Sequence, residues 1–171
     1  MKASDRAITH RTFVSYIDRT RDFYAAQGYE KPYQWARNSD VPYANLSKPL
    51  TECRVTLVTT ASPFKTARAN KGVLRGRKEV WSGDTSDPPA RLFTGDLAWD
   101  KEATHTDDVE SFLPIERLRA HVAAGRIGSL AARFHGVPTE YSQRRTIEVD
   151  APEVLRRCRE DEVDVALLVP L

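Results

Sequence analysis

The feature that most constrains the fold is a short apolar run at the carboxyl-terminal end of the sequence. The run, Val163 to Pro170, follows a segment with the pattern of a capped helix and precedes Leu171. A run of this length is typical of a buried central strand in a parallel sheet, because helices that cover both faces leave both sets of side chains apolar. In open sheets of this kind, ligands bind beyond the carboxyl ends of the strands. We therefore expect the chemistry of the protein close to Leu171.

Other segments predict the elements around this strand. Arg54 to Thr60 is rich in β-branched residues and predicts a first strand. Apolar residues recur at helical spacing in residues 12–27 and again between Pro114 and Gly125, and Asp150 to Glu153 resembles a capping box that begins the last helix. The order predicts one three-layer α/β domain, Rossmann-like or flavodoxin-like, with a mostly parallel sheet that is incomplete at its carboxyl-terminal side. Residues 1–53 are predicted to form an N-terminal helix and an irregular arm.

Composition excludes several classes of protein. The 26 Lys and Arg residues nearly balance 24 Asp and Glu residues, a formal net charge of +2, which does not indicate a nucleic-acid partner. No apolar run approaches the ~20 residues that cross a bilayer, and no signal peptide is visible, so we expect a cytoplasmic protein without a membrane partner. Cys53 and Cys158 show no metal-ligand spacing and are predicted to be structural thiols without a disulfide.

One group of candidate functional residues lies in an acidic loop before the Pro114 helix. His105, Asp107 and Asp108 combine an imidazole with carboxylates, which are natural metal ligands and general acid–base groups. Their spacing matches no defined metal signature, so no metal is predicted. The alternative interpretation is that the carboxylates lie there because negative charge stabilises a helix N-terminus.

A second group lies at the ends of the predicted strands. His135 is placed by the sequence in a Gly- and Pro-bounded loop, where it is a candidate for binding or proton transfer; a partly buried structural histidine is the alternative. Thr59 and Thr60 end the first strand, where their hydroxyls could bind a substrate carboxylate or be purely structural. We predict that the loop of residues 95–110 and the loop around His135 converge near the carboxyl ends of the first and last strands.

A longer pattern supports a resemblance to a known family. Three motifs follow one another. Asp107 to Arg119 contains an acidic loop and then a helix start with Pro, Arg and Leu, and Gly125 to Ala131 is a Gly-x-Ile-Gly-x-x-Ala run. In order and spacing the chain resembles, from Arg54 to Leu171, the selenoprotein B family of glycine, sarcosine, betaine and D-proline reductases. Val58 to Thr60 resembles the first strand of that family, and Val163 to Pro170 resembles the strand before its redox motif.

The resemblance implies an oxidoreductase that cleaves a C–N bond of an amino acid or a related compound with thiols as electron donors. It implies no cofactor in this chain, a selenocysteine or cysteine of a Sec-x-x-Cys motif directly after Leu171, and an oligomeric complex with a partner subunit that bears a pyruvoyl group. The sequence departs from the family where Ala61-Ser62-Pro63 replaces a glycine-rich turn. We expect a UGA codon after Leu171. The alternatives are a non-catalytic binding or regulatory subunit with the same fold, and a metal-assisted hydrolase or lyase that uses His105, Asp107 and Asp108.

Overall fold

The computed structural model describes residues 16–29, 31, 34, 36–63, 79–94, 105–139 and 142–171. Contacts between residues divide the chain into two units, Met1–Pro42 and Tyr43–Leu171. In the first unit, helix α1 (Tyr16–Ala26) ends before Gly28, whose φ of +83° is in the left-handed region that favours glycine. The assignment of one domain with residues 1–53 as its arm stays a prediction.

The second unit contains five strands and three helices in the described residues. The strands are β1 (Arg54–Thr59), β2 (Trp81–Asp84), β3 (Ser129–Leu130), β4 (Arg133–Gly136) and β5 (Val165–Val169). The helices are α2 (Ile115–Ala123), α3 (Gln143–Arg145) and α4 (Ala151–Glu160), and a π-helical turn (Thr146–Asp150) joins α3 to α4. Short 3-10 turns occupy Leu50–Glu52 and Val109–Ser111. No helix in these described ranges is long and apolar enough to cross a bilayer.

The sheet is open and mostly parallel, with β1 at its centre. Along its whole length β1 pairs in parallel with β5, and on its other side it pairs in parallel with β3 and then β4. Strand β2 lies outside β4 and pairs with it antiparallel. The protein is therefore a mixed α/β protein, as the sequence predicts, with one antiparallel pair at an edge of the sheet.

The principal core lies on the sheet face that carries α2. Val55 and Leu57 of β1 pack there with Ile115 and Leu118 of α2, and all four are buried. As the sequence predicts, α2 follows Pro114 and ends at Gly125, whose φ is +65°. The alternation of side chains along β1 decides which residues join this core, since successive residues point to opposite faces.

The opposite face carries α4 and a second apolar layer. Val58 of β1 and Cys158 of α4 are buried and border an apolar groove of about 390 Å³. Cys53, which precedes β1, is also buried, and both cysteines are free thiols. Both thiols are thus buried, which agrees with the structural role that the sequence predicts for them.

The position of β5 differs from the sequence-based expectation of a buried central strand. Within the described residues β5 pairs only with β1, so its other edge is open. Leu167 is 41% exposed and Leu168 is 71% exposed. The strand is apolar, but its residues Ala166 and Leu168 border the groove beside α4, and Leu168 stays largely exposed there. Apolar composition therefore predicted the strand and its parallel pairing, but in the described residues β5 lies at an exposed edge of the sheet.

The capping box predicted at Asp150 is also wrong. The helical segment begins eight residues earlier, where the Ser142 side chain accepts a hydrogen bond from the Arg145 N–H at 3.3 Å. Asp150 already has helical φ and ψ angles of −73° and −47°, and its side chain makes no capping hydrogen bond. The Glu153 carboxylate instead accepts hydrogen bonds from Arg156 and Arg157. Asp150 cannot act as an N-cap because it lies inside a continuous helical run.

Candidate functional site

Two threonines organise the carboxyl edge of the parallel strands: Thr59 is the last residue of β1, and Thr60 follows it. Thr59 is buried, and its hydroxyl accepts a hydrogen bond from the Ala61 N–H at 3.2 Å. This bond stabilises the turn after β1 at Ala61-Ser62-Pro63. The hydroxyl that was predicted to bind a substrate therefore already binds the backbone.

Thr60 connects the turn after β1 to the residue that follows β5. Its hydroxyl accepts a hydrogen bond from the Leu171 N–H at 2.8 Å and lies 3.3 Å from the main-chain oxygen of Leu171, to which it donates. The Thr139 hydroxyl donates to the Thr60 carbonyl at 3.1 Å, and the Val137 N–H donates to the Thr59 carbonyl at 2.9 Å. The ends of β1, β4 and β5 therefore meet at one edge of the sheet, where Leu171 is held beside the end of β1.

His135 lies in strand β4, not in the loop that the sequence predicts. Its side chain is completely buried on the α4 face, because His135 is in register with Val58. Gly136 and Pro138 made the segment resemble a loop, yet Gly136 lies in the strand, where its missing Cβ leaves room for the Trp81 ring. His135 is more deeply buried than the partly buried structural histidine offered as the alternative, and its role in binding or proton transfer stays a prediction.

The contacts of His135 are asymmetric. Its Nδ1 is 2.9 Å from the Ser82 Oγ, whereas its Nε2 has no hydrogen-bond partner and is 3.9 Å from an Asp161 carboxylate oxygen. Asp161 itself accepts hydrogen bonds from the Arg133 guanidinium at 2.8, 2.9 and 3.2 Å. Burial lowers the pKa of His135 below its usual value, because a charged imidazolium is poorly solvated in the interior.

In the described part of the acidic loop, His105 and Asp107 form a pair that is exposed to solvent rather than enclosed in a binding pocket. The His105 Nδ1 is 3.7 Å from the Asp107 carboxylate, and the two side chains are 71% and 65% exposed. Asp107 also forms an ion pair with Arg91 at 3.0 Å, while the Asp108 carbonyl accepts a hydrogen bond from Ser111. Residues 95–104, which include other carboxylates of the predicted cluster, lie outside the described residues.

Glu110 shows what the acidic loop does for the fold. Its carboxylate accepts hydrogen bonds from the Glu116 and Arg117 N–H groups in the first turn of α2, at 3.0 and 3.3 Å. This is the helix-terminus role that the sequence offers as the alternative to catalysis. Val109 packs on the core of the α2 face, whereas His135 lies on the α4 face. No hydrogen bond or ion pair joins His135 to residues 105–110, the described end of the acidic loop, and the convergence of the two loops stays a prediction.

Three residues that the sequence did not single out complete the surroundings of His135. They are Ser82 of β2, Arg157 of α4 and Asp161, which follows α4. The Arg157 guanidinium donates to the Ser82 Oγ at 2.8 Å and to the Val80 carbonyl at 3.1 Å. These three residues meet only because distant segments pack together. The local sequence shows only that Glu153 and Arg157 are four residues apart, a spacing at which oppositely charged side chains interact on a helix.

The described residues contain no cluster of three or more His, Cys, Asp or Glu side chains that could hold a metal ion. Burial raises the pKa of the Cys158 thiol, so at neutral pH this thiol is protonated and poorly nucleophilic. Comparison with protein-family models, with curated proteins and with solved structures gave no match. The site is therefore defined by its geometry alone.

Proposed function

We propose that this chain is the N-terminal part, or a subunit, of a selenoprotein-B-type reductase that cleaves a C–N bond of an amino acid or a related compound. The observation that carries the proposal is the pair of hydrogen bonds between the Thr60 hydroxyl and the main chain of Leu171. They fix the position directly before the proposed redox residue at the carboxyl edge of β1 and β5, where open parallel sheets place their reactive groups.

The proposal assigns Thr60 a positioning role rather than substrate binding. A residue after Leu171 would follow a residue whose N–H and main-chain oxygen are both hydrogen-bonded to the Thr60 hydroxyl. A selenolate is ionised at neutral pH, while a free thiol has a pKa of about 8.5, so selenocysteine supplies a nucleophile there without a neighbouring base. A cysteine three residues later resolves the intermediate by exchange, and a dithiol donor supplies the two electrons.

The exposed side of β5 supports the same proposal. Leu167 and Leu168 are apolar and exposed on opposite faces, beside a strand edge that no described segment pairs. A further strand beside β5, with helices on both faces of the sheet, would bury both leucines and would complete a three-layer, Rossmann-like or flavodoxin-like domain. The proposal includes a cytoplasmic reductase complex, with thiol donors and a partner subunit that bears a pyruvoyl group.

The decisive experiment is to sequence the gene and its transcript beyond codon 171. The proposal expects a UGA codon, an open frame with a cysteine three codons later, and a selenocysteine insertion element. A different stop codon, or no downstream frame, contradicts it. The extended chain should then reduce an amino-acid substrate in the presence of a dithiol. Thr60→Val should impair this reaction, and Thr60→Ser, which keeps the hydroxyl, should restore it.

A second candidate function is a non-catalytic binding or regulatory subunit with the same fold. Its supporting observation is that Cys53 and Cys158, the two cysteines of the 171 residues, are both buried. A chain without an accessible thiol has no group that could exchange with a dithiol donor. A gene that ends at codon 171 would favour this function over the reductase.

A further inference from the structure

The buried His135 belongs to a chain of hydrogen bonds that joins three elements. Arg157 of α4 donates to the Ser82 Oγ of β2 at 2.8 Å, and the Ser82 Oγ is 2.9 Å from the His135 Nδ1 of β4. Arg157 also donates to the Val80 carbonyl, directly before β2. Helix α4 is thus attached to the antiparallel edge of the sheet through the Ser82 hydroxyl and one neighbouring carbonyl.

The hydrogen-bond partners of His135 determine which of its ring nitrogens carries the proton. A guanidinium can only donate, so the Ser82 Oγ accepts from Arg157 and its own proton is free to be donated. If the hydroxyl donates to Nδ1, the ring is neutral and carries its proton on Nε2. That Nε2–H faces the Asp161 carboxylate at 3.9 Å. The opposite tautomer would direct an imidazole lone pair at the carboxylate and leave the Ser82 proton without this acceptor.

We propose that Arg157, Ser82 and His135 form a pH-sensitive latch that holds α4 on β2 and opens when His135 gains a proton. A protonated ring has N–H groups at both nitrogens, so Nδ1 can no longer accept the Ser82 hydroxyl. The hydroxyl must then turn away while it remains beside the Arg157 guanidinium. The ring and Arg157 then become two cations on either side of the same serine oxygen, and their repulsion weakens the latch.

The charged groups around His135 are arranged on two elements. Arg133 precedes His135 on β4, while Glu153 and Arg157 extend from α4 and Asp161 follows it. Burial is the largest influence and lowers the pKa of His135. Asp161 opposes this effect, Arg133 and Arg157 lower the pKa further, and Glu153 raises it. From the other side of the ring, β2 presents Ser82 and β1 presents the uncharged Val58.

The sign of the pH dependence follows from the lowered pKa. The opened state, in which the ring meets water, takes up a proton near the ordinary histidine pKa of about 6.5, and the closed state does so only at a lower pH. Between these two values the opened state binds more protons, so the closed latch loses stability as the pH falls. Above about pH 6.5 both states are neutral at His135 and the latch is fully stable.

Nuclear magnetic resonance on the unmodified chain tests the tautomer directly. We expect the ¹⁵N shifts of the His135 ring to show a protonated Nε2 and an unprotonated Nδ1 at neutral pH. Hydrogen exchange of the β2 amides, corrected for intrinsic rates, should show protection that falls by up to about tenfold per pH unit below about pH 6.5. A proton on Nδ1 at neutral pH, or protection that is independent of pH while His135 titrates, overturns the proposal.

Two matched variants separate the latch from general acid effects. His135→Gln keeps an acceptor for Ser82 but does not titrate, so the pH dependence of β2 protection should be lost. His121→Gln removes a histidine of α2 that lies away from the latch, and the pH dependence should remain. Equal pH profiles in wild type and His135→Gln would contradict the proposal. The tautomer measurement decides the question if His135→Gln does not fold.

Discussion

Phe134 is the residue whose replacement should affect the stability of the sheet most clearly. Its ring is fully buried on the α2 face of β4 and meets the Trp81 ring of β2 edge-on, with centroids 5.4 Å apart and an interplanar angle of 86°. A Cβ on Gly83 would lie 2.3 Å from the Phe134 ring, which shows how closely β2 approaches it. Phe134→Ala therefore leaves a cavity that β2 cannot fill without moving.

The expected cost of Phe134→Ala is about 3–5 kcal/mol in the free energy of unfolding, from lost apolar burial and the cavity that remains. A domain of this size has a total stability of about 5–15 kcal/mol, so the variant should be marginally folded. Urea unfolding followed by circular dichroism measures the loss as a lower midpoint with an unchanged slope. Tyr43→Ala, at a tyrosine that is 89% exposed, is the matched control and should change stability by less than about 0.5 kcal/mol.

A double-mutant cycle with Trp81→Ala isolates the contact between the two rings. The coupling free energy should be about 0.5–1.5 kcal/mol, the usual value for an edge-to-face aromatic pair. A loss below about 1 kcal/mol for Phe134→Ala would show that the site collapses or is not packed as described. A coupling near zero would refute the geometry of the Trp81–Phe134 contact.

Three further predictions concern other parts of the second unit. Gly128→Ala should destabilise the protein by about 1–3 kcal/mol in urea unfolding. The reason is that the added Cβ would lie 2.6 Å from the Glu52 backbone carbon. An unchanged unfolding midpoint would contradict this close approach. Glu153 has its pKa lowered from 4.5 to about 2 by hydrogen bonds from Arg156 and Arg157, so its contribution to stability is present above pH 4.5 and is lost as the pH falls toward 2. The stability difference between wild type and Glu153→Gln should therefore shrink over that interval and stay constant above it. Leu168→Asp should change the stability of the 171-residue chain by less than about 0.5 kcal/mol. In a longer chain in which β5 is covered, the same substitution should clearly lower the stability. Equal effects in both chains would contradict the proposed covering segment.

The sequence predicted those parts of the fold that depend on local patterns. The β-branched run of β1, the apolar run of β5 and the Pro114 and Gly125 signals of α2 were sufficient to place these elements. Whether β5 is central or at an edge depends on which segments pair beside it, and its own composition does not contain that information. The four residues of β4 were misassigned as a loop because glycine is typical of turns. In the structure Gly136 lies in the strand, and its missing Cβ leaves room for the Trp81 ring.

The candidate site was less accessible to sequence reasoning. Thr59 and Thr60 were correctly placed at a strand end, but the acceptors and donors that occupy their hydroxyls come from the following turn and from Leu171. Asp161 and Ser82 became relevant only because α4 and β2 both pack beside His135. Neither residue belongs to a local motif, so their proximity is a property of the tertiary structure.

The central position of β1 has a consequence for the order in which the protein folds. Val55 pairs with Leu130 on one side and with Val165 on the other, so both neighbours of the central strand come from much later in the chain. Parallel pairings between such distant segments form slowly, because a long loop must close before any contact stabilises it. Until then the Val55–Thr59 segment is an unpaired, β-branched, uncharged strand, which is the kind of segment that associates between chains. The yield of folded protein should therefore depend on chain concentration during synthesis and refolding more than on the final stability of the sheet.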